Sequence, residues 1–200
     1  MDPDELVVLL RTLQDEHQAM AERLSRLEDE RELRELLSMY GFTADLGRSR
    51  EYVDLYTEDG RIDLGAGRFG AGDGAYIGHE KLYEFITGSA HLGIQGYCQH
   101  IANVGPLIFH IDGDDAIGEG YSLVVVQSDE RERRTRSTMP ERAEVNISGA
   151  NFNRWHFRRV DGRWRIVRRV NRQIGDPNVH DVITNSLKSE RPDAERMETA

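Results

Sequence analysis

The run Val145-Asn-Ile-Ser-Gly-Ala-Asn-Phe-Asn-Arg-Trp-His-Phe-Arg-Arg-Val160 leads through Asp161-Gly162 into Arg163-Trp-Arg-Ile-Val-Arg-Arg-Val-Asn-Arg-Gln-Ile174. Both arms interleave polar residues with β-branched and aromatic ones. An Asp-Gly pair between such arms marks a tight hairpin turn, because glycine takes positive φ without steric cost. The same grammar stands upstream, where His100 to Ile111 turns at Asp112-Gly113-Asp114 into Ala116 to Gln127. Two long hairpins predict an antiparallel sheet with one face to be buried.

The cover must come from the N-terminal half, where the periodicity is helical. Leu33, Leu36, Leu37, Tyr40 and Ala44 share a broad helical face, and Gly47 ends that helix. Ser49 reads as the cap of a short helix from Arg50 to about Thr57, with Tyr52, Val53 and Tyr56 as its apolar side. Arg61 to Leu64 reads as a strand, the glycine-rich 65–74 as a loop and His79 to Thr87 as a helix. Helices first and hairpins after describe an α+β domain over residues 30–175, with helices gathered on one face of an antiparallel sheet. Residues 128–142 are charged and read as a loop, and 176–200 as a C-terminal tail.

Ahead of this domain runs a different stripe. Leu6, Leu10, Leu13, His17, Met20, Leu24 and Leu27 alternate steps of four and three, a heptad seam on a helix predicted from about Asp4 to Asp29. One narrow apolar stripe is not buried by a lone helix, so it packs on another chain or on its own domain. Residues 1–29 are read as an oligomerisation helix and the chain as a homo-oligomer, a dimer or a trimer.

Composition narrows the function classes. With 38% hydrophobic and 31% charged residues over 200 positions, this is a globular chain with one substantial core. A net charge of −10 disfavours nucleic acid and anionic membrane surfaces as partners. Residues 131–172 do carry 13 cations against four acids, but Arg163, Arg165 and Arg169 alternate with apolar residues as solvated or interface positions do. The one cysteine, Cys98, leaves no internal disulfide and no CxxC zinc spacing, so neither metal nor cofactor is expected. Gly65-Ala-Gly67-Arg-Phe-Gly70 spells a dinucleotide fingerprint, yet further glycines follow where the motif needs a helix. The apolar run Leu6 to Leu10 is far too short to span a bilayer and acids precede it, so a cytoplasmic chain is expected.

Several polar residues fall inside predicted core elements. Tyr40 and Asp45 end the second helical segment, and His100 opens a long strand. Asn103 and Tyr121 belong to the first hairpin; Asn153, His156, Asn171 and Arg172 lie on the last. Taken singly, a buried histidine is ordinarily a hydrogen-bonded packing residue. An aspartate and a histidine together do more: the carboxylate accepts a hydrogen bond from one ring nitrogen, fixes the tautomer and strengthens the other nitrogen as a base.

The stretches Arg34-Glu-Leu-Leu-Ser-Met-Tyr40-Gly-Phe-Thr-Ala-Asp45, Tyr52-Val-Asp-Leu-Tyr-Thr-Glu-Asp59-Gly, Gly78-His-Glu-Lys, His100-Ile-Ala-Asn103-Val, Ile111-Asp-Gly-Asp114-Asp-Ala and Asp161-Gly-Arg-Trp164-Arg-Ile occur in an order that resembles the SnoaL-like branch of the nuclear transport factor 2-like superfamily. The resemblance spans about residues 30–174 and lies near scytalone dehydratase and bile acid 7α-dehydratase. It implies a cone: a strongly curved antiparallel sheet whose concave face, closed by helices, forms an apolar pocket. It also implies an Asp/His elimination pair, matched by Asp45 and His100, a tyrosine five residues before the aspartate, matched by Tyr40, and an arginine on the final strand, matched within one residue by Arg172.

The function this implies is a cofactor-independent lyase, a dehydratase acting on a small hydrophobic hydroxylated, carbonyl-containing substrate. His100 would remove a proton, Asp45 would orient His100, and Tyr40 would hydrogen-bond a substrate oxygen. Arg172, Asn103, Tyr121, Tyr56 and Asn153 would bind the remainder. The same pocket also suits an isomerase or a cyclase. From another class, the chain could be a ligand-binding protein or a structural subunit resembling the β subunit of ring-hydroxylating dioxygenases.

Overall fold

A computed structural model describes residues 2–65, 75–127, 145–176 and 179–188, with backbone alone at 103, 104, 106, 182 and 186–188. The loop readings at 66–74 and 128–142 and the end of the tail lie outside the described residues.

Helix α1 runs unbroken from Pro3 to Asp45. The two segments separated near residue 30 in the sequence reading are therefore one rod. Neither glycine nor proline interrupts the junction, and the i,i+4 ion pairs Arg26–Glu30 and Arg31–Glu35 bridge it. At its start Asp2 accepts from the Asp4 N–H while Glu5 accepts from the Asp2 N–H, a capping box followed by proline in the first turn. Helix α2 spans Ser49–Asp54; its N-cap is Arg48 with no side-chain cap, so Ser49 is not the cap, its hydroxyl donating instead to the Gly47 carbonyl.

Strands β1 (Tyr56–Asp63) and β2 (Ala75–Ile77) form a short hairpin; helices α3 (Gly78–Ile86) and α4 (Ser89–Leu92) follow. Then come β3 (Cys98–Asp112), β4 (Asp115–Gln127), β5 (Val145–Val160) and β6 (Arg163–Gln173). Asp161 and Gly162 take φ of 50° and 73°, the paired positive values that an Asp-Gly hairpin turn requires. Sheet order is β2-β1-β6-β5-β4-β3. The sheet is mixed rather than antiparallel throughout, because β1 lies parallel to β6. After β2 the chain crosses through α3 and α4 to the far edge, and the meander β3 to β6 returns to β1 running in the same direction.

Register shifts between Ile101 and Ile108 in β3, with Gly105 at φ 75°, bend the edge strand, as bulges do. The concave face carries Phe109, Trp155, Phe157 and Ile166 against Leu33, Leu37 and Tyr40 of α1 and Leu82 and Phe85 of α3. Part of the expected tail is a fifth helix, α5 (Val179–Lys188), which lies beside β5. Among the described residues no helix is long and apolar enough to cross a membrane.

Candidate active site

Helix α1 ends on Asp45, and β3 begins two residues before His100. The elements meet because Gly41 has no side chain: a Cβ there would lie 2.3 Å from the His100 carbonyl oxygen. At the crossing the Asp45 carboxylate accepts from His100 Nδ1 at 2.6 Å and from the His100 backbone N–H at 3.0 and 3.1 Å. Both side chains are mostly buried, 16% and 11% exposed. The backbone N–H holds the carboxylate in place and the carboxylate in turn meets the ring at Nδ1, so Nδ1 is held as the donor and Nε2 is left as the basic nitrogen.

Cys98 adds a third group. Its Sγ donates to Asp45 Oδ1 at 3.6 Å and stands 3.8 Å from His100 Nδ1. The sequence reading missed this Asp, Cys and His cluster, whose ligand-type atoms lie within 4.8 Å of one another. Burial and then the neighbouring Asp45 charge push the thiol up to about 12, so it serves as a neutral donor to the carboxylate.

His100 faces a cavity of about 250 Å³ that it shares with Tyr40, His91, Arg169, Asn151 and Asn171, set among Leu64, Phe85, Ile94 and Val124. On its far side an open groove between α1 and β3 reaches Asp45 and Cys98 past Phe42 and Leu46.

Arg169 is the strongest residue that the sequence reading placed wrongly. It is 8% exposed, donates to Tyr40 Oη and to Asn153 Oδ1 at 2.8 Å, and lies over the rings of Tyr40 and Trp155 at 5.0 and 4.9 Å. Among the described residues no carboxylate pairs with it. A buried, unneutralised guanidinium on a cavity wall favours an anion or a developing negative charge there. The alternation around Arg169 signalled a two-faced strand, but Asn153 and Asn171 on the same face were the sign that this face is a polar floor.

His91, also missed, ends the turn of α4. Its ring stacks near that of His100, centroids 5.9 Å apart, and meets Phe85 edge-on at 4.4 Å. Burial first, then electrostatic repulsion from the neighbouring His100 and Arg169 side chains, bring it down to about 4. It is therefore a neutral imidazole at ordinary pH, with one ring nitrogen engaged by the Phe85 carbonyl.

Tyr40 is 3% exposed, and its oxygen accepts from both Arg169 and Tyr52 Oη, the latter at 3.2 Å. Tyr40 itself lines the cavity beside His100. Tyr52 and Tyr56 continue the stack at 5.1 and 5.7 Å between centroids, and burial first, then Tyr40, raises both well above the ordinary phenol range. Tyr56 sits behind Tyr52, outside the cavity wall. Asn153 is fully buried and also lies one layer back, accepting from Arg169 and from Asn171 at 2.9 Å and donating to Ser122 at 2.6 Å.

Two of the predicted binding residues face the other way. Tyr121 pairs with Phe152 on the outer face of the sheet and is 46% exposed. Arg172 pairs with the same Phe152 and is tied to Asp63, at 2.9 Å, beside Arg168. Burial alone would raise Asp63, but hydrogen bonds from Arg172, the Gly65 N–H and Arg168 hold it below the usual carboxylate range. The physical reason for both errors is the two-residue period of a strand, which puts neighbours on opposite faces. Asn103 lies in β3 with its side chain outside the described residues.

Comparison with known proteins agrees with this architecture. The SnoaL-like domain family matches residues 25–170. No curated protein matches. An NTF2-like protein with a cystatin-like fold from Novosphingobium aromaticivorans is similar at 28% identity and a TM-score of 0.64, covering 82% of this chain and 94% of its own. The protein Aln2 from a Streptomyces species is similar in fold at 16% identity and a TM-score of 0.58, covering 80% and 96%. A Mycobacterium tuberculosis protein of unknown function shares the fold at 20% identity and a TM-score of 0.58, covering 84% and 91%. The helical cover, the curved sheet and the span of the match agree, and the chain belongs to the SnoaL-like domain family.

Proposed function

We propose that this chain is a cofactor-independent lyase that eliminates water from a small β-hydroxy carbonyl compound. The observation that carries the reading is the Asp45–His100 hydrogen bond of 2.6 Å on the wall of a mainly apolar cavity that also holds Arg169 and Tyr40. His100 Nε2 takes the proton from the carbon next to the carbonyl, and the electron pair moves onto the carbonyl oxygen. Arg169 and the Tyr40 hydroxyl face that oxygen as it becomes negative, and Asp45 stabilises the imidazolium. When the carbonyl re-forms, the C–O bond at the β carbon breaks, the imidazolium returns its proton to the leaving hydroxyl, and water and a conjugated double bond result. His91, neutral and beside His100, receives the substrate hydroxyl as a hydrogen-bond acceptor. Proton abstraction at the same carbon also begins isomerisation or aldol-type cyclisation, so the carbanion step is the shared core of these reactions.

The test begins with that step. Candidate ketones are incubated in heavy water and hydrogen exchange at the α carbon is followed by mass; the same compounds bearing a β-hydroxyl are followed by absorbance of the enone. His100→Ala is expected to slow exchange and elimination alike by about 10² or more, the contribution typical of a general base. Exchange that proceeds equally in the variant removes His100 from the mechanism.

A further inference from the structure

The first seven turns of α1 are unaccounted for by the domain. Leu6, Leu10, Leu13, Met20, Leu24 and Leu27 are 44, 52, 52, 63, 57 and 57% exposed. At 1.5 Å per residue, residues 3–28 form a rod of about 39 Å. It is anchored at its base where Asp29 accepts from Arg159 and from Trp164 Nε1 at 3.2 Å. We infer that this rod pairs along its heptad seam with the same segment of a second copy of this chain.

Among the described residues the domain does not cover the seam. Leu33, Leu37, Tyr40 and Ala44 define the face by which α1 packs on the sheet. At 100° per residue the seam is centred about 150° away from that face, so the unbroken helix points it away from its own body. The seam also ends where the domain begins, since the next positions in its register are Arg31, Arg34 and Ser38. What it fits is another helix with the same repeat. The steps of four and three hold through seven positions, the spacing that lets side chains of two helices interlock.

Charge agrees with self-pairing. Asp4, Glu5, Asp15, Glu22 and Asp29 lie on the outer positions of the heptad, away from a partner. Beside the seam, Arg23 meets the partner's Glu28 in a parallel pair and the partner's Glu16 in an antiparallel one, so either direction joins opposite charges. Taking six half-exposed leucine-sized side chains out of water on each of two copies removes about 1,000 Å² of surface, the scale a specific interface needs. His17 occupies the central position, where a polar residue sets register at some cost in stability.

The experiment is light scattering on the full-length chain at tens of micromolar, with Leu13→Lys/Leu24→Lys as the seam variant and Ala19→Lys/Ser25→Lys as an equally charged off-seam control. The wild type and the control are expected to share one mass, a multiple of the 22.9 kDa chain, and the seam variant to fall to half of it or less. Unchanged near-ultraviolet circular dichroism from Trp155 and Trp164 in the seam variant shows that the domain has stayed folded. A monomeric wild type, or a seam variant that keeps the wild-type mass, overturns the inference.

Discussion

Replacing Gly41 by alanine separates two opposite expectations. In an isolated helix the change gains about 1 kcal/mol, since alanine is the best helix former and glycine among the worst. Here the new Cβ would stand 2.3 Å from the His100 carbonyl oxygen, where ordinary contact begins near 3.4 Å. About 1 Å must be found between α1 and β3, and the obstacle is backbone, which cannot rotate aside. Overpacking of that kind costs about 1–3 kcal/mol; at the upper end, less the propensity gain, the net loss is about 2 kcal/mol. The displacement acts on the three Asp45–His100 hydrogen bonds, none longer than 3.1 Å. A misplacement of about 1 Å near a reacting group costs on the order of 10² in rate. Urea unfolding gives the first quantity, and the low-field His100 Nδ1–H proton resonance reports the pair without a substrate. Gly41→Ala should lower the unfolding midpoint and lose that resonance. A variant that gains stability and keeps the resonance would refute the close crossing.

Asp45→Asn should reduce turnover by about 10² or more, because the imidazole loses the anion that fixes its tautomer and stabilises its charge. The same variant should alkylate faster at Cys98 near pH 9, since Asp45 contributes, after burial, to holding that thiol up at about 12; an unchanged alkylation rate contradicts the contact. Arg169→Met should abolish binding of enolate-like inhibitors, while Arg172→Met should leave it intact and only loosen the Asp63 contact, which calorimetry distinguishes. His91 supplies the pH dependence. Its folded value of about 4 lies below the ordinary 6.5, so the unfolded chain binds the extra proton between them. Stability is full above about pH 6.5 and falls as pH drops toward 4, by at most about 3 kcal/mol. His91→Phe should flatten unfolding free energy across that window, and an unaltered slope assigns the effect to other groups.

The sequence carried the hairpins openly. Asp161-Gly162 and Gly113 sit between alternating arms, and turn chemistry of that sort is local, so it needs no knowledge of the rest of the chain. The parallel contact between β1 and β6 was not legible, because it depends on how α3 and α4 carry the chain across the sheet. The unbroken α1 was hidden by its own change of face. A stripe that moves around the helix looks like a new element, although nothing in Glu28 to Arg34 interrupts the backbone. His91 left little trace: four residues of α4 give too short a period to reveal a buried side.

Where the structure places the expected site residues has a physical cause. Tyr40 and Asp45 belong to a helix, where consecutive residues turn by 100° and a small error in the assumed face still leaves a side chain near the intended surface. On a strand the turn is 180°, and there is no partial error. Arg169 and Arg172 differ by three positions and so take opposite faces, one over Tyr40 and Trp155 in the cavity, the other on Asp63 outside it. Choosing between two such arginines requires an anchor on the same strand whose face is known. Asn171 is that anchor: its Nδ2 reaches fully buried Asn153 at 2.9 Å, and Asn153 accepts from Arg169. Residues 153, 169 and 171 thus form one hydrogen-bonded floor that excludes Arg172 by parity alone. It follows that the cation facing His100 across the cavity is Arg169, and that an anion-binding role for Arg172 would require β6 to slip by one residue and expose Ile166 and Asn171 together.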